Sequence, residues 1–422
     1  MANVSDGERV PPDLANEVLC LLVCVGTRSD EMNLRTIAAF GQREPDWSQI
    51  VRAAVYNRVA PLAYLNLRES ELGHAMPRQA LRTLEVAYYQ SLAGATAVRG
   101  NLAGLLHRFR QETIPALVLR GLLLGEQVYG DPALRPFSDT DLLVHKRDVP
   151  RAKRLLLDLG YRIQPHDIDA CYFEKHHLHL VFAGPATVEL HWALDHKYTP
   201  FAIDCAEVFA TTSPGELAGV PALLLSAESL LLTLCVHLLK HCYYARYLSS
   251  AQDCLRQVLA DGFLVLYADV DAVVRRNAET LDWRVIVDRA RRWQIEPAVG
   301  VALGLVTRWF RTPVPDWVLD RLPPVMAGSL ESCLAAKLFQ SDGQGGVVRL
   351  GEMRPDALFR PARLFGLLNY VAPSPAYIAW RYGTTGPVRL PLGYMCHAVT
   401  AAAEICENTF DYLLYCRIRR RR

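Results

Sequence analysis

Asp139-Thr140-Asp141 lies between the turn-forming Pro136-Phe137-Ser138 and the apolar run Leu142-Leu143-Val144. Side chains two apart on a strand project to the same side, so this spacing aims two carboxylates at one spot while the apolar run anchors the strand. Converging carboxylates suit a hard divalent cation. Magnesium takes oxygen ligands and keeps open positions for substrate phosphates, so the pair is a candidate holder of one or two ions against a nucleoside triphosphate. A solvated turn entering a buried strand is the competing reading of the same residues. A third carboxylate, Glu189, stands in Val188-Glu189-Leu190-His191-Trp192. Alternation puts Glu189 and His191 on one face and Val188, Leu190 and Trp192 on the other. Pairing this strand with the first would gather three carboxylates, enough for two-ion phosphoryl transfer.

The surrounding pattern supplies the elements to position them. Leu14 to Arg110 is helical in pattern, with a long breaker-poor stretch from Arg78. Ala116 to Leu119 then reads as a strand, Gly121 to Tyr129 as a helix, Asp139 to Val144 as a strand and Asp148 to Gly160 as a helix. Tyr161 to Ile163, Cys171 to Glu174, Leu178 to Phe182 and Thr187 to Trp192 read as strands, with Gly184-Pro185 as a turn. The apolar stretch Ala222 to Leu239 is interrupted by Ser226, Glu228, Ser229, Thr233 and His237, which predicts a buried helix rather than a membrane span. Helix returns from Ala227 to Leu322, and prolines 373, 375, 387 and 391 punctuate a mixed C-terminal part. The expected fold class is α+β, with a helical unit at 1–113, a small mixed-sheet core at 114–222 and a second helical unit at 223–422.

One motif recurs across the two helical parts. Asp46-Trp47-x-x-Ile50-Val51-x-x-Ala54 returns as Asp282-Trp283-x-x-Ile286-Val287-x-x-Ala290, followed at equal offset by Pro61 and Pro297. Asp is a natural N-cap and Pro fits a first helical turn, so each copy predicts a helical hairpin with its Trp in the core.

A length of 422 residues exceeds one comfortable core. With 51% hydrophobic and 21% charged residues and a net charge of +2, the chain is globular in composition and offers no global charge argument for nucleic acid. Met1 to Asp13 lacks the apolar run of a secretory signal. Eleven cysteines without Cys-x-x-Cys spacing fit reduced core thiols, so a cytoplasmic location is expected.

Leu119-Arg120-Gly121, Tyr129, Asp131-Pro132, Arg135, Asp139-x-Asp141-Leu142-Leu143-Val144, Gly160-Tyr161 and Glu189-Leu190-His191-Trp192 together resemble the uncharacterised nucleotidyltransferase family of the polymerase-beta-like superfamily. The resemblance implies a nucleotidyltransferase core with helical flanks, and Asp139, Asp141 and Glu189 as ligands of magnesium ions. It implies that Arg120 and Arg135 face the triphosphate of ATP or another nucleotide and that Gly121 lets the backbone approach the phosphates. It implies transfer of a nucleoside monophosphate to a hydroxyl of a small molecule, sugar or peptide, with a tRNA end or protein side chain also open as acceptor and with pyrophosphate leaving. Leu122 stands where the superfamily commonly has Ser, and Arg120 where the family usually has Lys. A catalytically silent nucleotide-binding or scaffolding protein of the same fold is the alternative.

Other candidates carry weaker chemistry. His176, His177, His179, His191 and His196 crowd the strands near Glu189, but their alternation between faces argues against one zinc site. His237, Lys240 and His241 fall within about one helical turn and are candidates to touch phosphate or acceptor. The basic end at Arg417 and Arg419 to Arg422 reads as a solvated tail.

Overall fold

The computed structural model describes residues 21–22, 24–26, 46–163, 177–181, 187–194, 201–241, 259, 262–322, 391–396 and 398–399. The strand expected at Cys171 to Glu174, the turn at Gly184-Pro185 and the basic end lie outside the described residues. Ahead of the sheet come helices α1 (Trp47–Tyr56), α2 (Ala60–Leu67), α3 (Glu71–Ala75) and α4 (Arg78–Gln111). The core then runs β1 (Ala116–Val118), a π-helical segment at Leu124–Tyr129, β2 (Asp139–Val144), α5 (Val149–Asp158), β3 (Arg162–Ile163), β4 (His177–Val181), β5 (Thr187–His191), α6 (Cys205–Ala210), β6 (Ser213–Leu217) and β7 (Val220–Leu224). Helices α7 (Ala227–His241), α8 (Leu264–Arg276), α9 (Trp283–Arg292), α10 (Glu296–Phe310) and α11 (Asp316–Arg321) follow. The fold is α+β.

The strands form one mixed sheet of order β3-β4-β5-β2-β1-β7-β6. β2 lies at its centre, antiparallel to β1 and parallel to β5. Leu142, Leu143 and Val144 are wholly buried, which explains why this strand reads as a continuous apolar run. On β5, Val188 and Leu190 are wholly buried, so the alternation of its sequence is obeyed as far as Leu190, and His191 is buried as well. The long α4 packs on the turn at Pro132–Leu134, on α1, α2 and α5, and on β7. Beyond the sheet, α7 packs against α8, α9 and α10, and the buried apolar residues of both flanks and the sheet form one continuous cluster.

The hairpin of β6 and β7 corrects the expectation that the apolar stretch from Ala222 begins a helix. Val220–Leu224 is a strand, parallel to β1 through Leu117 opposite Leu223, while helix begins at Ala227 as expected. Ala218 and Gly219, both at positive φ, form its two-residue loop, the left-handed geometry that suits a tight hairpin.

The repeated motif forms the expected hairpins. The Asp46 carboxylate accepts from the Gln49 amide at 3.0 Å, and that of Asp282 from the Arg284 amide at 2.9 Å. Pro61 and Pro297 occupy first turns of α2 and α10, while Trp47 and Trp283 pack against the core. Both copies also leave their first helix alike, with Arg58 at φ 58° and Gln294 at φ 57°.

On the second flank, Glu207 of α6 accepts from Arg289 Nε at 3.0 Å, Arg292 Nη2 at 2.7 Å and Trp293 Nε1 at 2.9 Å. Burial opposes its ionisation, but the bonds from Arg292 and Trp293 and the charges of both arginines hold its carboxyl below the ordinary 4.5. A depressed folded value contributes stability above the unfolded value and loses it as pH falls through the folded one. Glu207→Gln is therefore expected to destabilise by about 1–2 kcal/mol at pH 7, and the gap to wild type in urea unfolding should close as pH drops below 4.5. A gap that is constant across that range would refute the assignment.

Candidate functional site

The site forms where β1 hands over to the next segment beside the start of β2. The Leu119 amide donates to the Asp141 carbonyl at 3.1 Å, carrying the β1–β2 ladder one residue past the strand. This sets Arg120 against Asp141. Gly121 then turns the chain at φ 62°, and a Cβ there would lie 3.2 Å from the Phe137 ring. Gly121→Ala is expected to destabilise by about 1–2 kcal/mol from the left-handed backbone alone, read as a lowered midpoint in thermal unfolding; an unchanged midpoint would show that the turn relaxes. Leu122 is buried in the apolar core.

Parallel pairing of β2 and β5 places Asp139 opposite Thr187, Asp141 opposite Glu189 and Leu143 opposite His191. Asp141 and Glu189 are thus brought together as the sequence suggests, and His191 joins them. His191 Nε2 lies 2.9 Å from Asp141 Oδ1 and 3.4 Å from Glu189 Oε2. Among the described residues, ligand atoms of Asp141, Glu189 and His191 all fall within 4.8 Å of one another. Asp139 stands beside that trio rather than in it. Its charge is still felt: burial and then the neighbouring Asp141 and Glu189 carboxylates push the Asp139 carboxyl above its ordinary range, against Arg120 and Arg135. On β4, His179 occupies the register position opposite Glu189 and His177 that opposite His191.

Arg120 is wholly engaged with its neighbours. Its Nε donates to Asp141 Oδ2 at 3.0 Å, its Nη2 to Asp141 Oδ1, and its Nη1 meets His237 Nδ1 from α7. The His241 ring lies edge-on to that of His237, with centroids 4.5 Å apart. Burial disfavours the charged form of Asp141, but the Arg120 guanidinium and the His191 and His237 rings outweigh it and hold the carboxyl well below the usual range. Burial likewise works against a charged His191, and the bonds to Asp141 and Glu189 overcome it to raise the imidazole above 6.5.

Arg135, the residue expected to face the triphosphate, is held by the protein itself. It is buried, and its Nε donates to Asp269 Oδ1 and Oδ2 at 3.1 and 3.0 Å, its Nη2 to Oδ2 at 2.8 Å and its Nη1 to the Pro136 carbonyl at 2.8 Å. Tyr129 donates to the same carboxylate at 3.1 Å. All three guanidinium nitrogens are spent on protein. The reason is Asp269 of α8, fully buried and supplied from far along the chain. Arg135 therefore fixes the loop that leads into Asp139.

The family described as uncharacterised nucleotidyltransferase matches residues 43–311. The chain belongs to this family. The match runs from just before α1 to the residue after α10, so both helical flanks belong with the sheet and its carboxylates. Membership supports nucleotidyl transfer as the general activity and a nucleotide as substrate. Neither the curated proteins nor the solved structures compared with the chain contain a match. Nucleotidyltransferases typically use a divalent metal, and the donors of Asp141, Glu189 and His191 fit one, being two carboxylates and an imidazole within reach of a single ion. Among the described residues no helix is long and apolar enough to cross a membrane.

Proposed function

We propose that the protein is a divalent-metal-dependent nucleotidyltransferase. It moves a nucleoside monophosphate from a nucleoside triphosphate to a hydroxyl acceptor, and the core at 114–222 is its catalytic unit. The observation that carries this reading is the parallel register of β2 and β5, which sets Glu189 beside Asp141, two residues from Asp139, with Arg120 on the same carboxylate. The acceptor oxygen forms a bond to the α-phosphorus, the bond to the bridging oxygen breaks, and pyrophosphate leaves. A bound divalent cation would neutralise charge on the phosphate oxygens and orient the attacking and leaving groups. Asp139, Asp141 and Glu189, with magnesium as the expected ion, are the residues assigned to hold it.

The chain's own residues supply the rest. Arg120 cannot hold both oxygens of Asp141 and yield them to a cation. We assign it two successive partners, the carboxylate in the resting site and the phosphate oxygens in the loaded one, where a guanidinium pairs with planar oxygen sets. His237 keeps Nη1 in place during that exchange. Gly121 keeps the backbone at the turn clear of bulk. Glu189 is assigned to draw off the acceptor proton, and the repulsion that Asp139 feels from Asp141 and Glu189 is what a bound cation would relieve. Arg135 serves by positioning, not by contact with phosphate.

The test is incubation of purified protein with each common nucleoside triphosphate, a divalent cation and hydroxyl acceptors of the sugar, small-molecule and peptide classes. Pyrophosphate release is followed together with the mass of the acceptor and of the protein. Metal-dependent release with an acceptor adduct, absent in Asp139→Ala, supports the proposal. Nucleotide binding that never yields pyrophosphate would favour a silent nucleotide-binding protein.

A further inference from the structure

We propose that His191 is itself a cation ligand, so that the site prefers a first-row transition ion, which accepts imidazole nitrogen, over magnesium. The inference rests on the metal-site reading above and changes both its donor set and its ion. Three observations carry it. First, the two short distances at His191 Nε2, 2.9 Å to Asp141 Oδ1 and 3.4 Å to Glu189 Oε2, have the size of polyhedron edges. Ligand atoms each about 2.1 Å from one ion are about 3.0 Å apart at a right angle and about 3.4 Å apart at a tetrahedral angle.

Second, the position of His191 follows from the sheet. Alternation gives it the face of Glu189, and the parallel register carries that face next to β2, with Glu189 opposite Asp141 and His191 opposite Leu143. Third, the imidazole is enclosed: the His191 side chain is 7% exposed and that of Asp141 4%, against 17% for Glu189, so any ion there enters from the Glu189 side and meets Nε2 at the inner end. Magnesium favours an all-oxygen octahedron and sheds water reluctantly, whereas first-row transition ions accept nitrogen readily. One nitrogen and two carboxylate donors in a confined place therefore favour the transition ion. Asp139, beside the trio, is left to the nucleotide-bound ion or to the acceptor.

The experiment titrates metal-free full-length protein with manganese alone and with magnesium alone, by calorimetry and by the electron paramagnetic resonance of manganese. Wild type is expected to bind manganese at least about tenfold more tightly than magnesium, with a nitrogen modulation in the pulsed resonance spectrum. His191→Gln should abolish the modulation and lower manganese affinity about tenfold or more, with magnesium affinity little changed. If His191→Gln does not fold, the nitrogen modulation of wild type still decides, since its absence overturns the proposal. Equal affinities and no modulation, with Asp141→Asn still abolishing binding, would overturn the ligand role of His191 and leave the carboxylate metal site standing. If wild type binds neither ion, with or without nucleoside triphosphate, the metal site falls and this proposal with it.

Discussion

Asp141→Asn is expected to cut nucleotidyl transfer by about a thousandfold or more while leaving the protein folded. Charge stabilisation at a metal-assisted phosphoryl centre is worth several kcal/mol, and each 1.36 kcal/mol is about tenfold in rate. Asparagine keeps the shape and one acceptor oxygen for Arg120 and His191, so the local bonds are weakened rather than erased. The variant also has a signature that simple damage would not produce. Arg120 loses its charged partner but keeps its place between β1 and α7, so its donors become more available to phosphate. Triphosphate affinity should therefore stay within a few-fold of wild type or improve, while kcat collapses. Turnover within tenfold of wild type, in a protein with an unchanged unfolding midpoint, would remove Asp141 from the chemistry.

The largest loss of stability is expected from Asp269→Ala. It strands the buried Arg135 guanidinium, which donates three of its hydrogen bonds to that carboxylate, and removes the acceptor of Tyr129. Burial opposes the Arg135 charge, and the Asp269 carboxylate restores it, so the guanidinium is raised rather than lowered. Losing one partner of such a pair costs about 3–5 kcal/mol, because the remaining charge stays buried and uncompensated. Replacing both partners with apolar residues of similar volume, as in Arg135→Met with Asp269→Leu, should recover most of that loss in denaturant unfolding. A single variant as stable as wild type would show that water reaches Arg135. The double variant also asks whether Arg135 touches nucleotide: if stability returns and triphosphate affinity with it, the residue only positions.

The carboxylates were readable because their spacing is a local property. Period two places Asp139 and Asp141 on one face, and Glu189 and His191 on another, without knowledge of anything distant. Which of these meet depends on the register between β2 and β5, a pairing across about fifty residues that no local pattern encodes. His191 was visible as a companion of Glu189 but not of Asp141 for that reason. Arg135 shows the same limit more sharply. Nothing near it announces that its charge belongs to Asp269, whose own surroundings, Leu264 to Val274, read only as a buried helix. The hairpin of β6 and β7 was hidden by composition: Ala222 to Leu225 merges with the apolar face of α7, and Pro214 and Pro221 argue against strands. The repeated hairpins were legible in full, since cap, apolar face and proline all lie within some sixteen residues of one another.

The pairing of Arg135 with Asp269 also bears on the order in which the protein becomes competent. A ribosome delivers the whole sheet, carboxylates included, before α8 emerges, because β7 ends at Leu224 and α8 begins only at Leu264. Until then the loop entering β2 carries a guanidinium with no carboxylate to meet it, and Arg120 waits on a histidine from α7 that arrives only after the last strand. A nascent or truncated chain ending before α8 can thus hold all three acidic residues and still lack their geometry. Helices α7 and α8 are the elements that complete the partners of Arg120 and Arg135 around the start of β2.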